Sequence, residues 1–396
     1  ENGLKITETD AHGKITSESV IQSPKTGENI KLTLDSRVQS KLFKVMTETA
    51  KNVGFKGGAA VIIDVTNGEI VALTSFPEYD SQVITDGADN EKIASWLISK
   101  DVPLLNRAVS GLYVPGSIVK PYIALGALSE GVIDPEHQIM GTASISIPNP
   151  YNPKLSTVFK DWQAQGVVDM RKAIAMSSDV YFYEIGGGYK DQKGLGILNI
   201  KKYTQMFGLD SKTNIDLMGE VSGVIPDPEW KKKNFLGEAW NIGNTYHTAI
   251  GQYGFQVTPV EMVRAVAAIA NEGTLLTPHL LSDDKKVWPK EIVPIKKEYF
   301  KIIKEGMRQG VVYGTGKGLN MPNVEIATKT GTAELGVSKE NVNSWATGFF
   351  PYQNPKYAFA IVMEKGSRHN LIGSVYVMRQ LFDWMSIYTP EYFINQ

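Results

Sequence analysis

A chain of 396 residues, with 42% hydrophobic and 21% charged residues, is long enough for one large or two medium domains. Its net charge of −1 argues against nucleic acid or an anionic membrane surface as the main partner, and the absence of cysteine excludes disulfides and thiol catalysis. No apolar run reaches the roughly 18 residues that a transmembrane helix needs.

Residues 1–35 are predicted to form a small antiparallel module with turns at His12-Gly13 and Lys25-Thr26-Gly27. The chain starts abruptly inside what reads as a strand, so we expect an upstream portion to be missing. The remaining residues, 36–396, are expected to form the main domain.

The first part of this domain alternates between one helix and two strands. Asp35-Ser36 is typical of a helix start, and the apolar periodicity predicts a helix to about residue 52. Two apolar runs, 59–65 and 69–75, are separated by Asn67-Gly68, which is a strong hairpin signal. Residues 78–116 are mixed and predicted to be rich in loops.

The middle of the chain is predicted to be mainly helical, and the last third returns to strands. Residues 141–166 indicate a loop or small hairpin, and 184–260 indicate helices with long loops. The predicted helices are 170–183, 258–271, 298–312 and 372–388, and the predicted strands are 325–335, 343–350 and 357–364. This order predicts an α+β fold, with an antiparallel sheet flanked by helices and an inserted all-helical subdomain.

The residues from Leu112 to Leu125 carry the first chemical signal. After the Pro115-Gly116 turn, Ser117 and Lys120 are three apart at the start of an apolar helix, so both side chains lie on one face. A serine needs a base to become a nucleophile, and a buried lysine gives up its proton more easily than an exposed one. The ordinary alternative is that Ser117 caps the helix and Lys120 lies at the surface.

Two further motifs follow in order. Ser177-Ser178-Asp179 lies in the predicted 170–183 helix, and Lys329-Thr330-Gly331-Thr332 lies on a predicted strand. With Ser117-Ile118-Val119-Lys120 they resemble the S-x-x-K, S-x-N and K-T-G set of the penicillin-recognising serine enzymes. Lys25-Thr26-Gly27 also matches K-T-G, but it precedes the serine in a polar turn, so we interpret it as a chance match.

Each motif has a role that the chemistry of acyl transfer requires. Ser177 would relay a proton between Lys120 and the leaving amine, and Lys329 would place a second cation that keeps Lys120 neutral. Thr330 and Thr332 offer hydroxyls to a substrate carboxylate, and Gly331 lets the strand approach a bound peptide. The N–H groups of Ser117 and Thr332 would form the oxyanion hole.

The resemblance reaches beyond these motifs and is to the class B penicillin-binding proteins, within which it is strongest to penicillin-binding protein 2. The resemblance to the class rests on residues 74–80, 103–108, 113–117, 250–252 with 258–259, and 313–316. The resemblance to penicillin-binding protein 2 rests on Asp179, residues 180–183, Trp230 and Thr245. It implies a D,D-transpeptidase that cross-links peptidoglycan stem peptides ending in D-Ala-D-Ala through a serine acyl-enzyme that β-lactams block.

The same resemblance implies a setting for the protein. The intact protein would be anchored in the bacterial inner membrane and act on its periplasmic face, with residues 1–35 as the remnant of a pedestal. Its partners would be the membrane glycosyltransferase RodA and the scaffold protein MreC.

Three departures from the family pattern bear on the site. Asp179 replaces an amide, and its carboxylate would favour the charged forms of Lys120 and Lys329. Tyr253 replaces a glycine that many relatives carry. Some relatives bind zinc near the second motif, but Ser178 stands at the cysteine position here, and the five histidines show no metal spacing. We therefore expect neither a metal nor a cofactor.

Other functions remain open from the sequence. A D,D-carboxypeptidase differs only in its acceptor, and a β-lactamase shares the three motifs but needs a base for water, for which no glutamate motif is evident. A non-catalytic β-lactam sensor or cell-wall scaffold is the alternative from another class. A scaffold without catalysis should have lost motif residues, and Ser117, Lys120, Ser177 and Lys329 are all retained.

Overall fold

A computed structural model describes residues 2–149, 152–283 and 285–394. The centre of the fold is an antiparallel sheet of five strands drawn from both ends of the chain. In spatial order these are β11 (Ala327–Leu335), β12 (Asn341–Phe350), β13 (Tyr357–Ser367), β3 (Gly57–Asp64) and β4 (Ile70–Phe76), numbered along the chain. Because β3 pairs with β13, the two ends of the main domain share one sheet, as the sequence predicted.

The sheet is covered on both faces, and the alternation of side chains along β3 divides the core in two. Val61 and Ile63 pack towards the middle helices, including α11 (Pro259–Ala270). Ile62 points the other way and packs under α1 (Ser36–Val53) and α13 (Ser374–Tyr388). A strand buried on both faces needs apolar residues at every position, which is why this run reads as continuously hydrophobic.

The first 35 residues form a hairpin that lies outside this sheet. Strands β1 (Leu4–Thr9) and β2 (Ile15–Gln22) pair around the predicted turn, where Gly13 adopts a φ of 81°. The segment that follows is irregular and exposed through Lys25-Thr26-Gly27. The N–H of Thr33 donates to the carbonyl oxygen of Leu280 at 2.8 Å, which ties the segment to the main domain.

The inserted region between β4 and β11 is not purely helical, so that part of the fold prediction was wrong. It contains three short antiparallel pairs in which β5 pairs with β8, β6 with β7, and β9 with β10. The β6–β7 pair confirms the small hairpin predicted within 141–166, although residues 150–151 at its tip lie outside the described residues. The strands are β5 (Ile139–Gly141), β6 (Ser144–Asn149), β7 (Asn152–Lys160), β8 (Gly166–Val168), β9 (Thr274–Leu276) and β10 (Lys290–Ile292).

The helices with clear end signals lie where the sequence predicted them. The Asp35 carboxylate accepts the N–H groups of Arg37 and Val38 at the start of α1. Thr258 and Glu261 form a capping box at the start of α11. The remaining helices are α2 (Ser81–Asp86), α3 (Asn90–Leu97), α4 (Arg107–Ser110), α5 (Lys120–Ser129), α6 (Met170–Met176), α7 (Asp179–Gly187), α8 (Ile197–Met206), α9 (Pro228–Asn234), α10 (Ile242–Ala249) and α12 (Lys297–Val312).

One helix prediction was wrong and another region was predicted only coarsely. The region 78–116, predicted to be mixed and rich in loops, also holds the short helices α2, α3 and α4. The predicted helix 170–183 is broken at Ser177, which lies between α6 and α7 with a φ of 58°. In the described ranges, no helix combines the length and the apolar character that a membrane crossing requires.

Candidate active site

Ser117 lies on a tight turn in front of α5. Gly116 adopts a φ of 58°, which favours glycine, and its N–H donates to the carbonyl oxygen of Gly251 at 2.9 Å. A 3₁₀ turn, Gly116–Val119, then leads into α5. The Ser117 side chain makes no capping hydrogen bond, so the ordinary interpretation of this serine as a helix cap is wrong. Its hydroxyl is half-buried and faces the cleft described below.

Lys120 is fully buried one turn after Ser117. Its ammonium group donates to the Asp179 carboxylate at 2.6 Å and to the backbone carbonyl oxygen of Ser177 at 2.8 Å. A longer contact of 3.4 Å reaches the Ser177 hydroxyl. The side chain therefore links the first motif to the second, and its hydrogen bonds do not include the Ser117 hydroxyl.

Ser177 is placed by the break between α6 and α7. It ends α6 in the left-handed conformation, and Ser178 then caps α7 by accepting the N–H of Tyr181 at 3.2 Å. This geometry aims the Ser177 hydroxyl at both lysines, since it accepts from Lys329 at 2.8 Å and lies 3.4 Å from Lys120. A continuous helix would not orient the side chain in this way.

Lys329 reaches the site from β11, far along the chain. Lys329 lies directly opposite Thr347 on β12, and this pairing sets its position along the sheet. Its ammonium group donates to the Ser177 hydroxyl and to the Thr330 carbonyl oxygen, each at 2.8 Å. The side chain is buried, and among the described residues it forms no ion pair. Burial and the nearby positive charge of Lys120 lower the pKa of Lys329 well below its usual value.

Asp179 carries the negative charge of the site. Burial raises the pKa of its carboxyl, and the ion pair with Lys120 opposes that rise. The site therefore holds two lysines and one carboxylate, and this carboxylate forms its ion pair with Lys120. The sequence placed Asp179 near both lysines, but in the structure only Lys120 has an acidic partner among the described residues.

The predicted substrate-binding residues lie on the open edge of the sheet, because β11 is its edge strand. The Thr330 hydroxyl donates to that of Thr315 at 2.6 Å, and Thr332 is exposed. Gly331 also has a packing role, and its predicted role beside a bound peptide stays a prediction. A Cβ there would lie 2.8 Å from the carbonyl oxygen of Pro115, so the glycine lets β11 pack against the nucleophile turn.

All the predicted site residues therefore meet at one cleft. Its volume is about 740 Å³, and its walls include Ser117, Ser177, Asp179 and Thr332. Lys120 and Lys329 lie buried beside Ser177. A hydroxyl in an accessible cleft, backed by amines and a second hydroxyl, is an arrangement suited to nucleophilic acyl transfer.

Two residues that support the site were not predicted to do so. The buried Asp161 carboxylate accepts the Ser178 hydroxyl at 2.8 Å, the Val180 N–H at 3.1 Å and the Trp162 N–H at 2.8 Å. No sequence signal joins Asp161 to the start of α7. Thr315 lay in a stretch that resembles the family but was given no function.

The other features noted in the sequence have clear outcomes. Lys25-Thr26-Gly27 lies outside the sheet and the cleft, which supports its interpretation as a chance match. Tyr253 adopts a φ of 61°, so the loop keeps a left-handed turn without glycine, and its ring stacks on Phe235 with centroids 6.0 Å apart. Within the described ranges no cluster of three potential metal ligands occurs. The expected absence of zinc stays a prediction.

Comparison with known proteins decides the family. Residues 58–382 match the penicillin binding protein transpeptidase domain. The chain belongs to this family. It is 32% identical over 392 residues to the peptidoglycan D,D-transpeptidase MrdA of Acinetobacter baumannii, a match that covers 93% of the chain and 55% of that protein. For MrdA of Escherichia coli K12 the identity is 30% over 418 residues, covering 97% and 62%.

A solved structure gives the same result for the fold. The complex between penicillin-binding protein 2 and MreC from Helicobacter pylori matches 97% of this chain and 69% of the solved one, with a TM-score of 0.79 and 29% identity. The predicted α+β transpeptidase fold and the resemblance to penicillin-binding protein 2 are both confirmed. The chain spans only 55% and 62% of the two MrdA proteins, so their activities are not transferred to it without further argument.

Asp161 should be needed for the stability of the site. In an Asp161→Ala variant three donors lose their acceptor in a buried region, and we expect a loss of roughly 2–4 kcal/mol in the free energy of unfolding. Urea denaturation measures it, with Asp191→Ala as the exposed control. Equal stability of the two variants would contradict the assigned role.

Lys329 should lower the stability of the fold in a pH-dependent way. Because burial lowers its pKa, the unfolded chain binds this proton more readily, so the penalty is full below the folded pKa and vanishes near the unfolded value of about 10.4. We expect Lys329→Met to be more stable relative to wild type at about pH 7 than at about pH 10. Thermal denaturation at both pH values measures this, and exposed Lys317→Met should show no such difference. A relative stability that grows towards pH 10 would contradict the assignment.

Proposed function

We propose that this chain is the catalytic domain of a peptidoglycan D,D-transpeptidase that works through an acyl-enzyme on Ser117. The observation that carries the proposal is the Ser117 hydroxyl in the cleft, next to a hydrogen-bonded set of Lys120, Ser177 and Lys329. The names of its relatives support the same activity.

In the proposed first step, Ser117 Oγ attacks the carbonyl carbon of the penultimate D-alanine. The neutral amine of Lys120 accepts the hydroxyl proton, with Asp179 balancing the charge that results. N–H groups of Ser117 and Thr332 would stabilise the oxyanion. The C–N bond then breaks, and Ser177, held by Lys329, passes its proton to the leaving D-alanine amine and takes the proton that Lys120 had accepted from Ser117.

In the second step, an amine of a neighbouring stem peptide attacks the ester carbonyl and frees Ser117. The proton of the attacking amine would pass to Ser117 through Ser177 and Lys120, because deacylation reverses the proton transfers of the first step. β11 is an edge strand, so a peptide can align beside it as an added strand. Thr330 and Thr332 would bind the terminal carboxylate, which places the scissile bond at Ser117.

The setting of this reaction is also proposed. We assign residues 1–35 to a pedestal module and residues 36–396 to the transpeptidase domain. Since the relative from Helicobacter pylori was solved with MreC, we propose MreC and the glycosyltransferase RodA as partners of the whole protein. Its substrate lies at the periplasmic face of the bacterial inner membrane, where we place the activity.

Ser117 should be the site of β-lactam attachment. After incubation with benzylpenicillin, we expect intact-mass spectrometry to show one added drug mass on wild type and none on Ser117→Ala. Ser110→Ala serves as a matched control and should still be labelled. Rapid loss of the adduct would favour a β-lactamase, and labelling of Ser117→Ala would exclude the proposed nucleophile.

The acyl donor test separates the remaining alternatives. With a D-alanyl-D-alanine peptide and an amine acceptor, a transpeptidase forms the exchanged peptide, a carboxypeptidase forms only the hydrolysed one, and a sensor or scaffold forms neither. We expect the exchanged product from wild type.

Asp179 should be needed for a fast reaction. Its carboxylate accepts from the Lys120 ammonium at 2.6 Å, and Asp179→Asn keeps the shape of the side chain but removes the charge that balances Lys120 once it has accepted a proton. We expect the acylation rate to fall by roughly tenfold in this variant. Stopped-flow acylation by a chromogenic β-lactam measures it, and Asp191→Asn is the control. An unchanged rate would contradict this role.

A further inference from the structure

The cleft has a far wall that the proposed reaction does not use. It is formed by residues 368–373, which connect β13 to α13, and it includes Arg368, Asn370 and Leu371. Backbone contacts hold it in place, since the N–H of Arg368 donates to the Glu340 carbonyl oxygen at 2.9 Å and that of Asn370 to the Ser367 carbonyl oxygen at 3.0 Å. The segment is therefore a built part of the cleft.

This wall lies near the proposed carboxylate-binding threonines. Thr332 on β11 faces Ser344 on β12, and the Ser344 hydroxyl accepts the N–H of Ser374 at 3.1 Å, directly after the wall. Directly opposite residues on neighbouring strands lie about 5 Å apart, so Thr332 and the wall can contact different groups of one bound peptide.

Two side chains on the wall carry hydrogen-bond donors. The Asn370 side-chain nitrogen is buried without a partner, whereas the Arg368 side chain is exposed and forms no ion pair with a described residue. Arg379, which lines the same cleft, is by contrast paired with Asp383 at 2.8 Å. A buried donor without a partner is rare in folded proteins and points to an acceptor that arrives with a ligand.

We propose that Arg368 and Asn370 together bind a second carboxylate of the donor stem peptide, one carried by a residue upstream of the D-alanines. A planar guanidinium beside an amide N–H matches the two oxygens of a carboxylate. The exposed side chain of Leu371 lies beside them and offers apolar contact to the methylene groups that carry it. This pair would select donors by the charge of that residue, and the inference rests on the proposed function.

The test compares two donors that differ only in this carboxylate. Each is a thioester peptide that acylates Ser117 with release of its thiol, one with a free carboxylate on the residue before the D-alanine and the other with the corresponding amide. Acylation is followed by intact mass. We expect wild type to prefer the free carboxylate by roughly fivefold in the second-order rate constant, a ratio typical of an accessible ion pair.

Variants of the wall should change this ratio. Arg368→Gln should bring the ratio close to one. Asn370→Asp, which keeps the shape but replaces the donor by a negative charge, should invert it in favour of the amide. Lys365→Gln removes a nearby exposed cation that does not line the cleft, so it should keep the wild-type ratio.

The outcomes separate this inference from the proposed function. If wild type reacts with neither donor and is not labelled by benzylpenicillin, the proposed function fails. If it reacts equally with both donors, or if Arg368→Gln keeps the wild-type ratio, the carboxylate site is wrong while the function stands. A ratio lost equally in Lys365→Gln would show a general effect of charge and would also overturn the assigned site.

Discussion

The site depends on the burial of two lysine ammonium groups against one serine hydroxyl. Ser177 lies between Lys120 and Lys329, within 3.4 Å of one and 2.8 Å of the other. Two like charges in a buried region are unfavourable unless one is paired with an opposite charge or one group loses its proton. The structure meets this constraint unequally, because Asp179 pairs with Lys120 while burial lowers the pKa of Lys329. Each lysine therefore has its own electrostatic environment.

Much of the surrounding fold serves to hold these groups at that distance. The break at Ser177 and the Asp161 carboxylate fix the start of α7, and the missing side chain of Gly331 lets β11 approach the Ser117 turn. Gly251 supports the same turn from the opposite side through its carbonyl oxygen. Parts of the chain that are distant in sequence thus hold the Ser117 turn and the start of α7 in place, as a preorganised site requires.

The sequence predicted those features that depend on local patterns. Asp35, Asn67-Gly68 and the capping box at Thr258 each act through neighbours in the chain, and the elements they start or connect were predicted correctly. The motif order also predicted which side chains meet. The break at Ser177 was missed because an apolar run of helical spacing gives no sign that one residue adopts a positive φ.

Contacts between residues that are distant in sequence could not be predicted, because they exist only in the folded chain. Asp161 supports α7 only because the fold brings the end of a hairpin next to it, and the pairing of Lys120 with Asp179 depends on distances that spacing does not give. The wall at Arg368 and Asn370 is a stronger case. The buried side-chain nitrogen of Asn370 lacks an acceptor in the folded state, and a sequence cannot reveal an unpaired donor, since pairing exists only once the surrounding chain is in place. The cleft thus pairs Lys120 with Asp179 beside Ser177 and leaves the Asn370 donor unpaired on its far wall. Under the carboxylate-site proposal, residues of that wall would change which donor is selected without changing the reacting groups.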